Sequence, residues 1–417
     1  YTLWHTLSLH DALPISMHVS PAKQIFKCFA CGAGGSAFQF VMQYDKLAFP
    51  EAVRALAERA HVPLPEESGP AGPGGDGCSK AELTELLTWA ARFYRDQLQS
   101  PAGRAALDYA RSRGLSDESI ARFGLGYAPD AWETLLAAGR KQGYSQRQLE
   151  TAGLIRPREQ GTGCYDRFRN RLLFPILDVM GRVIGFGGRA LAADERAKYL
   201  NSPETPLFDK SAQLYALNWA REAVASSGQA VVVEGYLDAL IPLQAGVGNV
   251  VATLGTALTD QHVRLLGRYA REAVLLFDAD TAGAAAAERA LEVFLAQQVH
   301  VRVATVPAGK DPCDYCLAEG AAGLANLVSD APDALEYVWR QRLAAVQRAG
   351  GNLADRRRLI EGFLTLVVSS AAYGSIDGVR RGQLAQHIAH LLNVPAGELE
   401  AQMRRLGRRL RNRPGPA

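Results

Sequence analysis

QAVVVEGYLD at residues 229–238 and EAVLLFDAD at residues 272–280 share one plan: a short, near-continuous apolar run that stops at acids. A run without polar alternation suits a strand buried on both faces, as in a parallel sheet covered by helices. The flanking segments agree. Apolar strands at 230–233, 249–252, 274–277 and 301–306 alternate with helical patterns at 236–244, 259–269 and 282–299, which predicts an α/β core. In such sheets functional groups collect at the carboxyl ends of the strands. Glu234 and Asp238 follow the first strand, Asp278 and Asp280 the third, and Asp311 and Asp314, in GKDPCD, the fourth. The spacing predicts a rim of converging carboxylates, with Asp278 and Asp280 on one side of an extended segment. Crowded carboxylates repel unless cations lie among them, and hard oxygen donors suit Mg²⁺. The competing reading is that the acids cap the helices that follow, which fits Asp280 and Asp238.

Upstream, residues 170–186 carry two apolar runs around Met180, Gly181 and Arg182, a hairpin signal. Arg167, Arg169 and Arg171 precede it, Arg189 follows it, and Lys198, Asn201 and Lys210 lie in KYLNSPETPLFDK. Arginine forks and lysine point charges suit phosphate oxygens. Period-two spacing puts Arg167, Arg169 and Arg171 on one face, as a phosphate site or as a charged strand edge that resists aggregation. Gly185, Gly187 and Ala190 imitate a dinucleotide fingerprint but follow a hairpin strand instead of opening a helix. Cys313 and Cys316 are read as buried thiols. No GxxxxGK(S/T) occurs, which excludes an ATP-driven motor within these residues.

The 417 residues are 48% apolar and 21% charged, with a formal charge of +3, the balance of a folded protein of about three domains. No apolar stretch approaches the ~20 residues of a membrane span. No secretory leader is legible, and six cysteines, four of them in CxxC pairs, read as reduced thiols or metal ligands, so the expected compartment is the cytoplasm. Residues 66–79, EESGPAGPGGDGCS, read as a flexible tether. The module before it, with a helical pattern at 49–64, is small enough to need a staple, which points to zinc on Cys28 and Cys31. Residues 80–113 are helical in pattern, as is everything from 334 to about 413. The Arg404, Arg405, Arg408, Arg409, Arg411 and Arg413 run is a phosphate-binding tail or a solvated helix end.

In order, these segments resemble the bacterial DnaG-type DNA primases. CFACGAGGSAF (28–38) and FPEAVRALA (49–57) are similar to part of the family's zinc domain; FRNRLLFPILDVMGRVIGFGGRAL (168–191) and KYLNSPETPLFDKS (198–211) to its basic subdomain; VVVEGYLD (231–238), ATLGTALT (252–259), LLFDAD (275–280) and GKDPCD (309–314) to its Toprim core. The resemblance implies a Toprim-like parallel-sheet core, an α+β basic subdomain, a C-terminal helical subdomain and a remnant zinc-ribbon-like module. The implied bounds are 1–16 for an atypical leader similar to a translated sequencing adaptor, 17–65 for the partial zinc domain and 66–79 for the linker. The basic subdomain takes 80–227, the Toprim subdomain 228–325, the helical subdomain 326–412 and a tail 413–417.

The resemblance further implies de novo synthesis of RNA primers on single-stranded DNA from ribonucleoside triphosphates, with Mg²⁺ or Mn²⁺ on Glu234, Asp278 and Asp280. Asp238 and Asp311 support them, and Arg169, Arg171, Arg189 and Lys198 hold template and nucleotide. A monomer is expected. A replicative helicase is the family's partner, its binding domain being absent from this sequence. The family's second acid in DPD is Cys313 here, so Asp314 substitutes for it or the position is dispensable. Leu7 stands where the zinc domain's first cysteine belongs and His10 at the histidine spacing, so zinc on Cys28 and Cys31 is expected to be incomplete and weak, with residues 1–20 frayed. The alternatives are another Toprim enzyme, a topoisomerase or nuclease, and a catalytically silent nucleic-acid-binding module.

Overall fold

The computed structural model describes residues 16–62, 78–158, 161–192, 195, 197–277, 281–296, 299–307, 309–369 and 378–411. Leu7, His10, Asp278, Asp280 and most of the tether lie outside the described residues. The chain forms two compact units, residues 1–77 and 78–417.

In the first unit, β1 (Met17–Ser20), β2 (Ile25–Cys28) and β3 (Gly34–Ser36) form an antiparallel sheet in that order. Residues 17–20, the last part of the stretch expected to fray, are paired as a strand: Met17 with Cys28 and Ser20 with Ile25. Helices Ala37–Tyr44 and Phe49–Arg59 follow. Ser36 caps the first in a capping box with Gln39. The second ends four residues before Pro63, because His61 takes a φ of 52°, which closes the helix locally.

In the second unit, helix Lys80–Gln99 starts at a Ser79–Glu82 capping box and buries Leu83, Leu86, Leu87, Ala90, Tyr94 and Leu98, a 3–4 period that gives it one apolar stripe. That stripe covers an antiparallel sheet of β4 (Gly126–Ala128), β7 (Arg171–Leu177), β8 (Val183–Ala190) and β9 (Tyr199–Asn201); β5 (Ile155–Pro157) and β6 (Cys164–Asp166) form a separate ribbon. The β7–β8 turn is fixed by Asp178, whose carboxylate accepts from the Met180 and Arg182 N–H groups at 2.9 Å. The fingerprint-like glycines are strand residues: a Cβ on Gly187 would stand 2.1 Å from the Tyr236 hydroxyl, so glycine lets the two elements approach.

Helix Leu217–Ser227 leads into a second sheet of β10 (Gln229–Val233), β11 (Val250–Ala252), β12 (Glu272–Phe277) and β13 (His300–Thr305). The order is β11-β10-β12-β13 and every pairing is parallel. Helices Tyr236–Gln244, Asp260–Leu266, Thr281–Ala296 and Pro312–Ser329 complete it. Both edges are closed: Tyr215 and Ala252 exchange backbone hydrogen bonds at β11, and the Val303 N–H donates to Pro332 O beside β13. Four helices, Ala334–Arg348, Leu353–Ser369, Gly378–Leu392 and Ala396–Arg411, make the C-terminal bundle. Among the described residues no helix is long and apolar enough to cross a membrane.

Phe174 of β7 stacks on Tyr236 at 4.8 Å and Tyr215 meets the same ring edge-on at 4.7 Å. The antiparallel and parallel sheets therefore share one core, each ring pair adding about 1 kcal/mol beyond burial.

Candidate catalytic rim and nucleic-acid interface

Glu234 is exposed one residue past β10. The register that pairs Val232 with Leu275 and Phe277 with Thr305 brings the carboxyl ends of β10, β12 and β13 to one rim. Gly235 caps the helix after β10; a Cβ there would stand 2.3 Å from Asp238 Oδ2. Glycine thus lets Asp238 fold back across the helix start.

Asp238 and Asp311 meet at the N-terminus of Pro312–Ser329. Asp311 is its N-cap, accepting from the Asp314 N–H at 2.7 Å, while Asp238 Oδ1 accepts from the Cys313 N–H at 3.1 Å. Pro312, at the first position, has no N–H to satisfy. Capping thus applies to Asp311 and, across to the helix after β13, to Asp238. Arg113 Nη2 lies 3.6 Å from Asp311 and 3.4 Å from Asp314. Burial opposes the charge of Arg113, but the carboxylates of Asp314 and Asp311 beside it outweigh that and hold it more firmly protonated. Cys313 is fully buried; that burial, then Asp311 and Asp238, pushes its thiol up to about 12. Asp311, Cys313 and Asp314 bring their donor atoms within 4.8 Å of one another. A protonated thiol beside an arginine is nonetheless a poor donor set for a hard cation. Exposed Glu234 at the strand ends is a suitable one.

The basic residues do not share a face. Residues 167–170 are not strand, and Asn170 takes a left-handed φ of 46°, which breaks the period-two spacing. Arg167 donates to Asn201 O at 2.8 and 3.2 Å. Arg171, 4% exposed, donates to Ala197 O at 2.9 Å and pairs with Glu195 at 3.2 Å. Arg169 lies over the Trp132 ring, 3.5 Å from its centroid, and Arg189 between Tyr109 and Tyr199 at 5.4 and 5.6 Å. Arg169 Nη1 and Arg189 Nε are buried without a hydrogen-bond acceptor. Lys198 and Lys210 are exposed. Asn201 is a joint: its side chain accepts from the Tyr236 hydroxyl and donates to Leu254 O, both at 2.7 Å. Because Tyr236 opens the helix that carries Asp238, its bond to Asn201 sets β9 against that helix, so the basic sheet and the acidic rim adjoin at β9.

Sequence reasoning missed Arg113, Trp132, Tyr199 and Tyr236. Arg113 has no pattern around it, whereas Trp132, 55% exposed in a loop, carried a signal.

In the first unit, Cys28 is buried and Cys31 exposed on a turn closed by the Gly32 N–H to Cys28 O bond, with Gly32 at a φ of 76°. The Cys31 N–H, then its thiol, the Ala30 N–H and the Ser16 hydroxyl, lower the Cys28 thiol to about 7. Two such sulfurs fit half of a tetrahedral zinc site.

Three family models match the chain: "DNA primase catalytic core, N-terminal domain" over residues 93–221, "Toprim-like" over 231–316 and "CHC2 zinc finger" over 5–71. The DNA primase of Synechococcus elongatus is 45% identical over 79% of this chain and 49% of its own length; that of Deinococcus radiodurans is 42% identical over 84% and 60%. The chain thus spans about half to three-fifths of these curated relatives. The crystal structure of a DNA primase domain from Pseudomonas aeruginosa superposes with a TM-score of 0.68 at 35% identity, covering 77% of this chain and 99% of that one. The Aquifex aeolicus primase, with zinc-binding and RNA polymerase domains, gives 0.64 at 34% identity over 92% and 88%. With the acidic rim of a parallel sheet adjoining a basic sheet, and with relatives of this identity and coverage, the chain belongs to the bacterial DnaG-type DNA primase family.

Proposed function

We propose that this chain synthesises short RNA primers on single-stranded DNA, joining ribonucleotides by in-line displacement of pyrophosphate. The observation that carries the reading is the pair of buried, unsatisfied guanidinium donors on Arg169 and Arg189, beside a rim that presents Glu234. An unmade bond of that kind costs about 1–3 kcal/mol, and phosphate oxygens are the acceptors that remove the cost. Template is tracked by Arg169 and Arg189, with exposed Lys198 and Lys210 adding charge; Arg167, Arg171 and Asn201 shape the support beneath. Glu234 with Asp278 and Asp280 would hold Mg²⁺ or Mn²⁺, which when bound activates the attacking hydroxyl and offsets charge on the leaving pyrophosphate. Asp238 and Asp311 keep the Pro312 helix against the rim, and Arg113 balances the charge of Asp311 and Asp314. Primases bound to single- and double-stranded DNA are among the solved relatives, which supports a DNA template. Zinc on Cys28 and Cys31, ribonucleoside triphosphates as substrates and a helicase as partner follow the family pattern.

The test is to incubate the chain with single-stranded template, ribonucleotides and Mg²⁺ and look for short RNA. Asp278→Asn should abolish the product and leave the melting curve unchanged. Normal primer yield from that variant would exclude the metal assignment.

A further inference from the structure

Charge is distributed unevenly along the chain. Residues 334–417 hold 14 arginines, no lysine and 6 acids, a net +8, while residues 1–333 sum to −5. On helix Ala396–Arg411 this excess is organised. Leu399 and Met403 are buried at 4% and 0% against helices Leu353–Ser369 and Gly378–Leu392. Arg404, Arg405, Arg408 and Arg409 are all exposed; at 100° per residue they fill an arc of about 140° on the opposite side. Elsewhere on the bundle Arg357 pairs with Glu361 and Arg358 with Asp355, while exposed Arg348 and Arg356 are scattered singly on two helices. On the ridge, Glu400 takes Arg404 at 3.4 Å, and among the described residues no ion pair engages Arg405, Arg408 or Arg409. The two rows, 404/408 and 405/409, step about 6 Å along the axis, a reach suited to successive phosphates of a strand. An all-arginine ridge favours bidentate phosphate contact over a merely solubilising surface.

We propose that this ridge is a second nucleic-acid site, one that grips the phosphate backbone of template extending beyond the catalytic groove. The bundle joins the catalytic sheet at its β13 edge, where Val303 meets Pro332. The basic sheet joins at the β10–β11 side, through Tyr236 and Leu254. The same unit therefore carries two cationic surfaces at opposite edges of the sheet. Because a short template occupies the groove alone, the ridge acts only on longer strands. The inference rests on the primase reading for its substrate, but its test requires no catalysis.

Arg404, Arg405, Arg408 and Arg409 are changed together to Ala in the full chain, and binding of about 10-nucleotide and about 40-nucleotide single strands is measured across a salt series without nucleotides. Affinity for the long strand should fall at least fivefold, and its salt slope should drop by about 3, as expected for four lost phosphate contacts. Affinity for the short strand should be unchanged. The all-lysine counterpart should restore the salt slope but only part of the long-strand affinity, since a point charge cannot reproduce the bidentate fork, and circular dichroism should show both variants folded. Unchanged long-strand affinity and slope in the alanine variant would overturn the proposal, leaving a solvated face or a surface for an acidic protein. Absence of primer synthesis by the parent chain would count against the primase reading alone.

Discussion

Between Arg169 and Arg171 the left-handed Asn170, with its φ of 46°, turns the chain, and the two guanidinium groups end in different surroundings. Arg171 is 4% exposed and spends its donors on Gly188 O, Ala197 O and Glu195. Arg171→Ala should therefore lower stability by about 1–3 kcal/mol, because it leaves the Gly188 and Ala197 carbonyls without their donor, visible as an earlier urea midpoint. Arg169→Ala and Arg189→Ala should instead weaken single-strand binding across all template sequences, since phosphate contacts carry no base information; loss at one sequence only would contradict this. Thiol chemistry separates just as sharply. With Cys28 lowered to about 7 and Cys313 pushed up to about 12, iodoacetamide at pH 8 should label Cys28 well before Cys313 by peptide mass spectrometry. Sequence carried the identity of these residues but not their partners, because Gly188, Ala197 and Glu195 reach Arg171 only once the hairpin has folded.

Strands and helices of the catalytic sheet were legible because an apolar run ending at an acid has few other solutions; 274–277, read from hydropathy, lies within β12, and 301–306 matches β13 except for Val306, which lies one residue past its end. Contacts between elements were not legible. Nothing in KYLNSPETP says that Asn201 ties β9 to Tyr236 and Leu254. Tyr236→Phe should cost about 1–2 kcal/mol in urea unfolding, because it leaves Asn201 Oδ1 without that donor. The join between β13 and the bundle is also side-chain work: Asp333 accepts from His300 Nε2 at 3.0 Å and lies 3.5 Å from His387, while His300 Nδ1 meets Glu272 at 3.2 Å and Arg302 pairs with Glu272. The bond to Asp333 raises His300 above its ordinary 6.5. Burial alone would raise Asp333, yet His300, the Leu335 N–H and His387 hold it below 3.8. A raised histidine stabilises fully below pH 6.5 and loses that contribution as pH rises through its folded value; a lowered carboxylate stabilises above 3.8 and fails as pH falls. The clamp should be strongest between about pH 4 and 6.5. His300→Ala should remove the alkaline part of that pH dependence at a cost under about 1 kcal/mol, since the imidazole is half exposed; a melting series from pH 5 to 9 measures it.

At the scale of the molecule, the two compact units differ in what orders them. The second has large shared cores and needs nothing further, whereas the first spans few residues and keeps Ile25, Phe29 and Phe49 exposed at 45%, 74% and 57%. A module of that size gains most from a metal. Its sheet nevertheless pairs β1 with β2 through backbone bonds, so partial order without zinc is expected. Cys28 and Cys31 supply two sulfurs where a structural site takes four ligands. The zinc-finger match begins at residue 5, which includes Leu7 and His10, and leucine cannot ligate. The chain as it stands should therefore carry less than one equivalent of zinc and release it to a chelator readily. Removing that zinc should shift the melting of the first unit and leave the transition of residues 78–417 where it was. Extension of a supplied primer should persist after chelation and Mg²⁺ repletion, while selection of the start site weakens. Stoichiometric, chelator-resistant zinc by metal analysis would show instead that His10 and a fourth donor complete the site, and that the leader belongs to the module.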